Sequence, residues 1–294
     1  MQQNKSSAYF LLAILAIVWG SSFILMKKGL EVYTWDQVGG IRMCVSLIAL
    51  FPFVWNKFKQ INAVEWKFIA ISGFCGNGIP SFLFPLAETR IDSALAGIIN
   101  SLTPLFTLLV GLLFFKTQLS YNRISGVMIG LAGALLIVLG KAKGIATNNL
   151  SYSFVVVIAT ICYAFSVNVL RHKLVHVDAV LITGFALMFA GVPSTVYLFT
   201  TDFVHKTQTV SGASVCLLAI VTLALFSTAI STVLFNKLIK MTGALFASSV
   251  TYLIPFVAIV WGLGFGERLE IPELLGLAAI LFGVYLINRK GAKA

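Results

Sequence analysis

The chain is 294 residues long, 59% hydrophobic and only 11% charged, with a formal net charge of +11, and its mean hydropathy is +0.97. Charged residues make up about a quarter of a soluble domain, so a soluble globular protein is excluded and a lipid environment is indicated. The positive excess is no nucleic-acid footprint, which needs a basic patch on one folded face; here Lys and Arg stand singly or in pairs between apolar runs, as in proteins oriented across a membrane.

A helix that crosses hydrocarbon needs about 20 mainly apolar residues. In chain order such runs fall at Tyr9–Met26, Val38–Trp55, Trp66–Ala87, Ser93–Phe115 and Ile124–Gly140, then at Tyr152–Leu170, Val180–Thr200, Ala213–Asn236, Gly243–Phe265 and Pro272–Asn288. The first run continues past Trp19 with no Ala-x-Ala pattern, so it is read as a retained span and not a removed signal peptide. Pro272, between Glu270 and Glu273, suits the first turn of the last helix, where a missing N–H costs nothing and acids complement the dipole. The expected fold class is an all-α membrane protein of ten transmembrane helices.

These spans form two sets of five. Ala96, Asn100, Pro104 and Gly111 recur 151 residues later as Ala247, Thr251, Pro255 and Gly262, and Gly126, Gly133 and Leu136 recur 150 residues later as Gly276, Gly283 and Leu286. The third and eighth spans match at an offset of 151, and the first and sixth at 144, where Trp19, Gly20 and Ser22 meet Tyr163, Ala164 and Ser166. The chain reads as a tandem duplication, with repeats over 1–145 and 146–294. With the amino terminus inside, thirteen of the 21 Lys and Arg residues face the cytoplasm, seven face outward and Arg42 lies within a span, so both termini are expected in the cytoplasm. An odd number of spans per copy then inverts the two copies, an alternating-access architecture.

Several chemistries find no support. Cys44, Cys75, Cys162 and Cys216 sit in apolar runs without a CxxC pattern, and His172, His176 and His205 show no ligand spacing; no metal, disulfide or other cofactor is expected. The phosphate loop GxxxxGK[ST] is missing, and the longest hydrophilic connections, Asn56–Glu65 and Thr201–Gly212, are too short to hold a domain. A membrane-embedded enzyme would need acid/base groups gathered at one depth, and all ten acids fall at span ends or in loops. That placement also disfavours an intramembrane proton relay and leaves a uniporter, an exchanger, or coupling through a group near a span end such as Glu88.

The candidate substrate residues follow from the interrupted helices, since matching Pro/Gly breaks in two halves point to a transporter's binding site. Asn100, Thr103 and Pro104 share one face of the fourth span, and Ser248, Thr251 and Pro255, with Tyr252 one step round, are placed alike in the ninth. A mid-helix proline frees a carbonyl one turn earlier, tolerated only against protein or a watery cavity. Pro104 and Pro255 are thus candidate helix breaks or gates. Asn77 and Thr228 are further candidates, as are Trp19, Ser22 and Tyr163, because Trp19 lies too deep for an interfacial belt and a buried indole needs a partner for its N–H. Gly126-x-x-x-Gly130 and Gly262-x-x-x-Gly266 suit close helix contact within the bundle. Arg42, about a turn and a half into its span, could bind a substrate carboxylate, snorkel to the interface, or pair with Asp36.

Trp19-Gly20-Ser21-Ser22-Phe23, Asn100-Ser101-Leu102-Thr103-Pro104, and Pro255 with Gly262, Gly266-Glu267-Arg268-Leu269 and Gly276 together resemble the EamA-type drug/metabolite transporters over nearly the whole chain. The resemblance implies a central cavity lined by the first, third, fourth, sixth, eighth and ninth spans, with the fifth and tenth holding the halves together. It also implies export of small metabolites, amino acids among them, across a bacterial inner membrane. One departure is visible: Lys116 stands where the family has an acid after its fourth span, whereas the second copy keeps Glu267. The expected protein is a multi-pass inner-membrane carrier, monomer or homodimer, for a small organic solute. Lipid-like, nucleotide or sugar substrates, and a channel, remain alternatives.

Overall fold

The computed structural model describes residues 5–115, 125–133, 136, 148–266 and 270–288, and every regular element among them is helical. In the first half these are α1 (Lys5–Gly29), α2 (Trp35–Val54), α3 (Ala63–Gly73), α4 (Ile79–Glu88), α5 (Ser93–Asn100), α6 (Thr103–Phe115) and α7 (125–133). The second half follows with α8 (Asn148–Lys173), α9 (Ala179–Phe199), α10 (Phe203–Thr209), α11 (Ala213–Thr222), α12 (Ser231–Thr242), α13 (Ala244–Ser248), α14 (Ile254–Gly264) and α15 (Ile271–Asn288). Among the described residues eight stretches are long and apolar enough to cross a membrane: Ser7–Gly29, Trp35–Val54, Ala63–Glu88, Ser93–Phe115, Ser151–Lys173, Ala179–Phe199, Ala213–Thr242 and Phe246–Gly264. They are the first four expected spans of each half. At the tenth position α15 carries a shorter apolar stretch, Leu274–Gly283, and the fifth position is described only at 125–133 and 136. Lys116 and Glu267-Arg268-Leu269 lie outside the described residues.

Helix starts are set by side chains that stand in for missing backbone partners. Before α3, Asn62 Oδ1 accepts from the N–H groups of Val64 and Glu65 at 3.0 and 2.9 Å, and Glu65 Oε2 accepts from the Asn62 N–H at 2.8 Å, a reciprocal capping box. Asp178 caps α9 in the same way, with its Oδ1 2.8 Å from the Val180 nitrogen.

The two halves meet through contacts that exchange under the repeat. A Cβ added to Gly40 in α2 would lie 3.2 Å from Leu198 in α9, and one added to Gly184 in α9 would lie 2.5 Å from Val54 in α2. Gly40 and Gly184, like Val54 and Leu198, are 144 residues apart. The same holds for α7 and α15: a Cβ on Gly133 would lie 2.8 Å from the Gly276 carbonyl oxygen, and one on Gly283 only 2.5 Å from that of Gly126. In both pairs the contact partner moves down one helix as it moves up the other, so each pair runs antiparallel. Contacts of the form i to j and j to i mark a two-fold relation, here internal to one chain.

Because the α7–α15 crossing is backbone against backbone, any side chain there must push the helices apart. Gly283→Ala is expected to lower unfolding stability in detergent by about 1–3 kcal/mol. Gly264→Ala, where an added Cβ meets nothing within 4 Å, should shift it by no more than about 0.5 kcal/mol. Equal effects of the two substitutions would contradict the close crossing.

Candidate functional site

Four of the spans are irregular, two in each half, at matching places. Between α3 and α4 the backbone widens to a π-helical turn over Phe74–Gly78, and between α11 and α12 to another over Leu223–Ile230. Such i→i+5 turns recur at functional sites. The fourth span breaks completely between α5 and α6, and the ninth passes through a 3-10 turn, Ser249–Tyr252, between α13 and α14. This differs from continuous helices bearing mid-helix prolines: Pro104 and Pro255 each fall in the first turn of a new helix, the one place where a missing N–H costs nothing. The carbonyl of Asn100 is taken up by the Thr103 hydroxyl at 2.7 Å, and that of Ser248 by Thr251 at 2.8 Å.

These breaks surround a cavity of about 930 Å³, counting its open mouth. Its wall draws on matched positions: Trp19 with Tyr163, Ser22 with Ser166, Met26 with Leu170, Gly76 with Ser227, Phe84 with Phe235, and Asn100 with Thr251. Aromatic contacts obey the same exchange. Trp19 packs edge-on to Phe235 at 4.9 Å between ring centroids, and their counterparts Tyr163 and Phe84 stack at 5.8 Å. The Trp19 indole N–H donates to the Ser227 carbonyl at 2.8 Å, so a ring that faces the cavity is anchored behind it.

Of the residues singled out in the sequence, Asn100, Thr103, Thr251, Trp19, Ser22, Asn77, Tyr163 and Arg42 line this cavity. Thr228, Ser248, Tyr252, Pro104, Pro255 and Glu88 do not. Tyr252 follows Thr251 in a turn of three residues, so adjacent side chains point about a third of a revolution apart, and it packs against the apolar core instead. Ser248, Pro104, Pro255 and Glu88 are buried behind the wall. Thr228 stands behind Arg42, whose Nε donates to its hydroxyl at 2.7 Å. Arg42 neither snorkels nor pairs with Asp36: it is only 8% exposed, and Asp36 accepts from the Tyr197 hydroxyl at 2.8 Å.

Other lining residues were not singled out. Ala186, the counterpart of Arg42, is one, and the pair brings the second and seventh spans into a wall for which the resemblance implied six others. Phe84 and Phe235, 151 residues apart, were legible in the repeat offset itself. Asn236, whose amide donates to the Thr183 hydroxyl at 2.9 Å, is the last residue of the eighth expected span. Asn236 and Ile239 line the cavity, but their counterparts Pro85 and Glu88 do not. The cavity therefore reaches further toward the carboxyl end of α12 than toward that of α4. Among the described residues no group of three His, Cys, Asp or Glu side chains could hold a metal.

Two successive segments of the chain, 6–139 and 150–289, match the EamA-like transporter family. This chain is a member of that family. It is accordingly a multi-pass membrane transporter of small molecules and not an enzyme. The uncharacterized inner membrane transporter YedA of Escherichia coli K12 is 26% identical over 277 residues, covering 93% of this chain and 88% of the relative. A probable terminal-alkyne amino-acid exporter of Streptantibioticus cattleyicolor is 22% identical over 292 residues, covering 97% and 94%. The S-adenosylmethionine/S-adenosylhomocysteine transporter of Chlamydia trachomatis serovar L2 is 25% identical over 293 residues, covering 95% and 88%.

The indole anchor is open to a direct check. Trp19→Phe keeps a ring against Phe235 but leaves the Ser227 carbonyl without its donor, and should lower stability in detergent by about 1 kcal/mol. An unchanged unfolding midpoint would show that the hydrogen bond contributes nothing.

Proposed function

We propose that this transporter exports small amino-acid-like solutes across a bacterial inner membrane by alternating access, with ten transmembrane helices in two inverted halves, 1–145 and 146–294, and both termini in the cytoplasm. The observation that carries this reading is the cavity wall, built from matched residues of both halves. If each half can adopt the conformation of the other, the open end of the cavity is exchanged for the closed one around a fixed site. The antiparallel exchange contacts of α2 with α9 and of α7 with α15 support the inversion. With cytoplasmic termini, the end of the cavity near Asn236 and Ile239 lies toward the cytoplasm, the side from which an export cargo is loaded. The relatives support the class of cargo, since one is named for an amino acid and another for amino-acid derivatives, and the E. coli relative supports the membrane.

Most of the wall suits a zwitterion without fixing its side chain. Uncharged Asn100, Thr251, Ser22 and Ser166 offer hydrogen bonds to a partly dehydrated solute, and the five aromatic rings of the wall supply apolar faces and π-density for an ammonium group. Reconstituted into liposomes and offered labelled amino acids, the protein should give saturable flux, and Asn100→Ala should reduce it about tenfold or more, the effect of leaving a buried polar contact unmade. Flux that rises linearly with concentration and ignores the substitution would rule the carrier out in favour of a channel.

Alternating access has its own readout. In a variant without native cysteines, Ser22→Cys and Ser166→Cys occupy matched lining positions in the first and sixth spans. Impermeant thiol reagents should label them in opposite proportion as cargo is added from one side, whereas parallel labelling from both sides would exclude exchange of the open end.

A further inference from the structure

Arg42 breaks the symmetry of the cavity. Its counterpart is Ala186, and it is the one charged side chain in the described wall. A cation in a membrane interior is expensive and marks function by default, more so when its partners are neutral. The Nε of Arg42 donates to the Thr228 hydroxyl at 2.7 Å, a terminal nitrogen approaches the Met26 sulfur at 3.9 Å, and the Tyr163 hydroxyl lies within electrostatic reach. Glu88 lies within electrostatic reach, buried behind the wall, and the described cavity wall itself holds no carboxylate. The side chain is held in place by neutral groups, and no acid shares the cavity wall with it.

With Nε committed to Thr228, the two terminal nitrogens form the edge of a planar fork that matches the two oxygens of a carboxylate. We propose that Arg42 is the anchor for the carboxylate of the cargo, and that a carboxylate is what the cargo must carry; this rests on the carrier reading above. The position adds a consequence. Arg42 lies at the end away from Asn236 and Ile239, so a solute entering there crosses the cavity to reach it. The hydrogen bond of Arg42 to Thr228 and its electrostatic contact with Tyr163 tie α2 to the eighth and sixth spans. A carboxylate that draws the guanidinium toward itself weakens those ties at the closed end. Recognition and opening of the far gate thus share one residue, and a solute lacking the carboxylate leaves that gate shut.

The test uses full-length protein in proteoliposomes, with labelled methionine, phenylalanine and threonine as probes and their carboxamides and decarboxylated amines as competitors. The wild type should prefer each acid over its amide by about tenfold to a hundredfold, the range of a charge-assisted hydrogen bond. Arg42→Gln should abolish that preference by weakening only the acids, and Arg42→Lys should restore part of it, because an ammonium keeps the charge without the fork. Thr228→Val, which leaves the charge but removes its positioning bond, should reduce the preference to an intermediate value and keeps the proposal testable if Arg42→Gln fails to fold. Saturable transport that accepts acids and amides alike, or a preference that survives Arg42→Gln, would overturn the anchor and leave the carrier standing. Absence of saturable flux for every acid, amide and amine would overturn the carrier reading and the anchor with it.

Discussion

A backbone inside hydrocarbon has to satisfy its own hydrogen bonds, because no water is there to do so. Continuous helices meet that demand automatically, and the irregular turns of this protein do not. They occur at four places, in the third, fourth, eighth and ninth spans, and all four border the cavity. Where carbonyls are released, hydroxyls take them up: Thr103 at Asn100, Thr251 at Ser248, and Ser81 at Asn77 at 2.6 Å. The need to shelter broken backbone and the need to shelter a polar solute are met by one cavity.

Symmetry and its breaking then divide the work. Exchanged glycine contacts and aromatic pairs give the two halves nearly interchangeable packing, so two end states of the proposed carrier would start close in energy. A ligand can shift such an equilibrium only through contacts that differ between the states. Arg42 facing Ala186 across the repeat, and Glu88 matched by Ile239, are differences of the right kind, because they place charge near one end and apolar surface near the other.

Much of this was legible in the residues themselves. Matching offsets of proline, glycine and polar side chains identified Asn100, Thr103 and Thr251 before any coordinates, and a deep tryptophan with its Tyr163 counterpart pointed at the same wall. What escaped has physical reasons. A π-helical turn adds one residue without changing composition, so the sequence could not tell that Thr228 would slip behind the wall and hold Arg42. A three-residue turn separates Thr251 from Tyr252 in direction, and nothing in the letters says which of the two faces inward. Arginine near a span end has a long stem that can reach the interface as easily as the interior, and only the packing of Thr228 and Met26 around the guanidinium decides between them. Asn236 reads only as the end of a span, and polarity at the end of an apolar run does not say whether the side chain faces a cavity or the membrane surface.

The paired π-helical turns carry a chronology. An extra residue in a helical turn arises by an insertion, and Phe74–Gly78 coincides with part of Leu223–Ile230 once the repeat offset is removed. An irregularity present in both copies is most simply older than the copying. The ancestral unit was on that view already bent where the cavity now lies, and the glycines that α7 and α15 share let its two copies pack closely. Arg42, which has no basic twin, belongs to the later period in which the two copies ceased to be the same and the assembly acquired a front and a back.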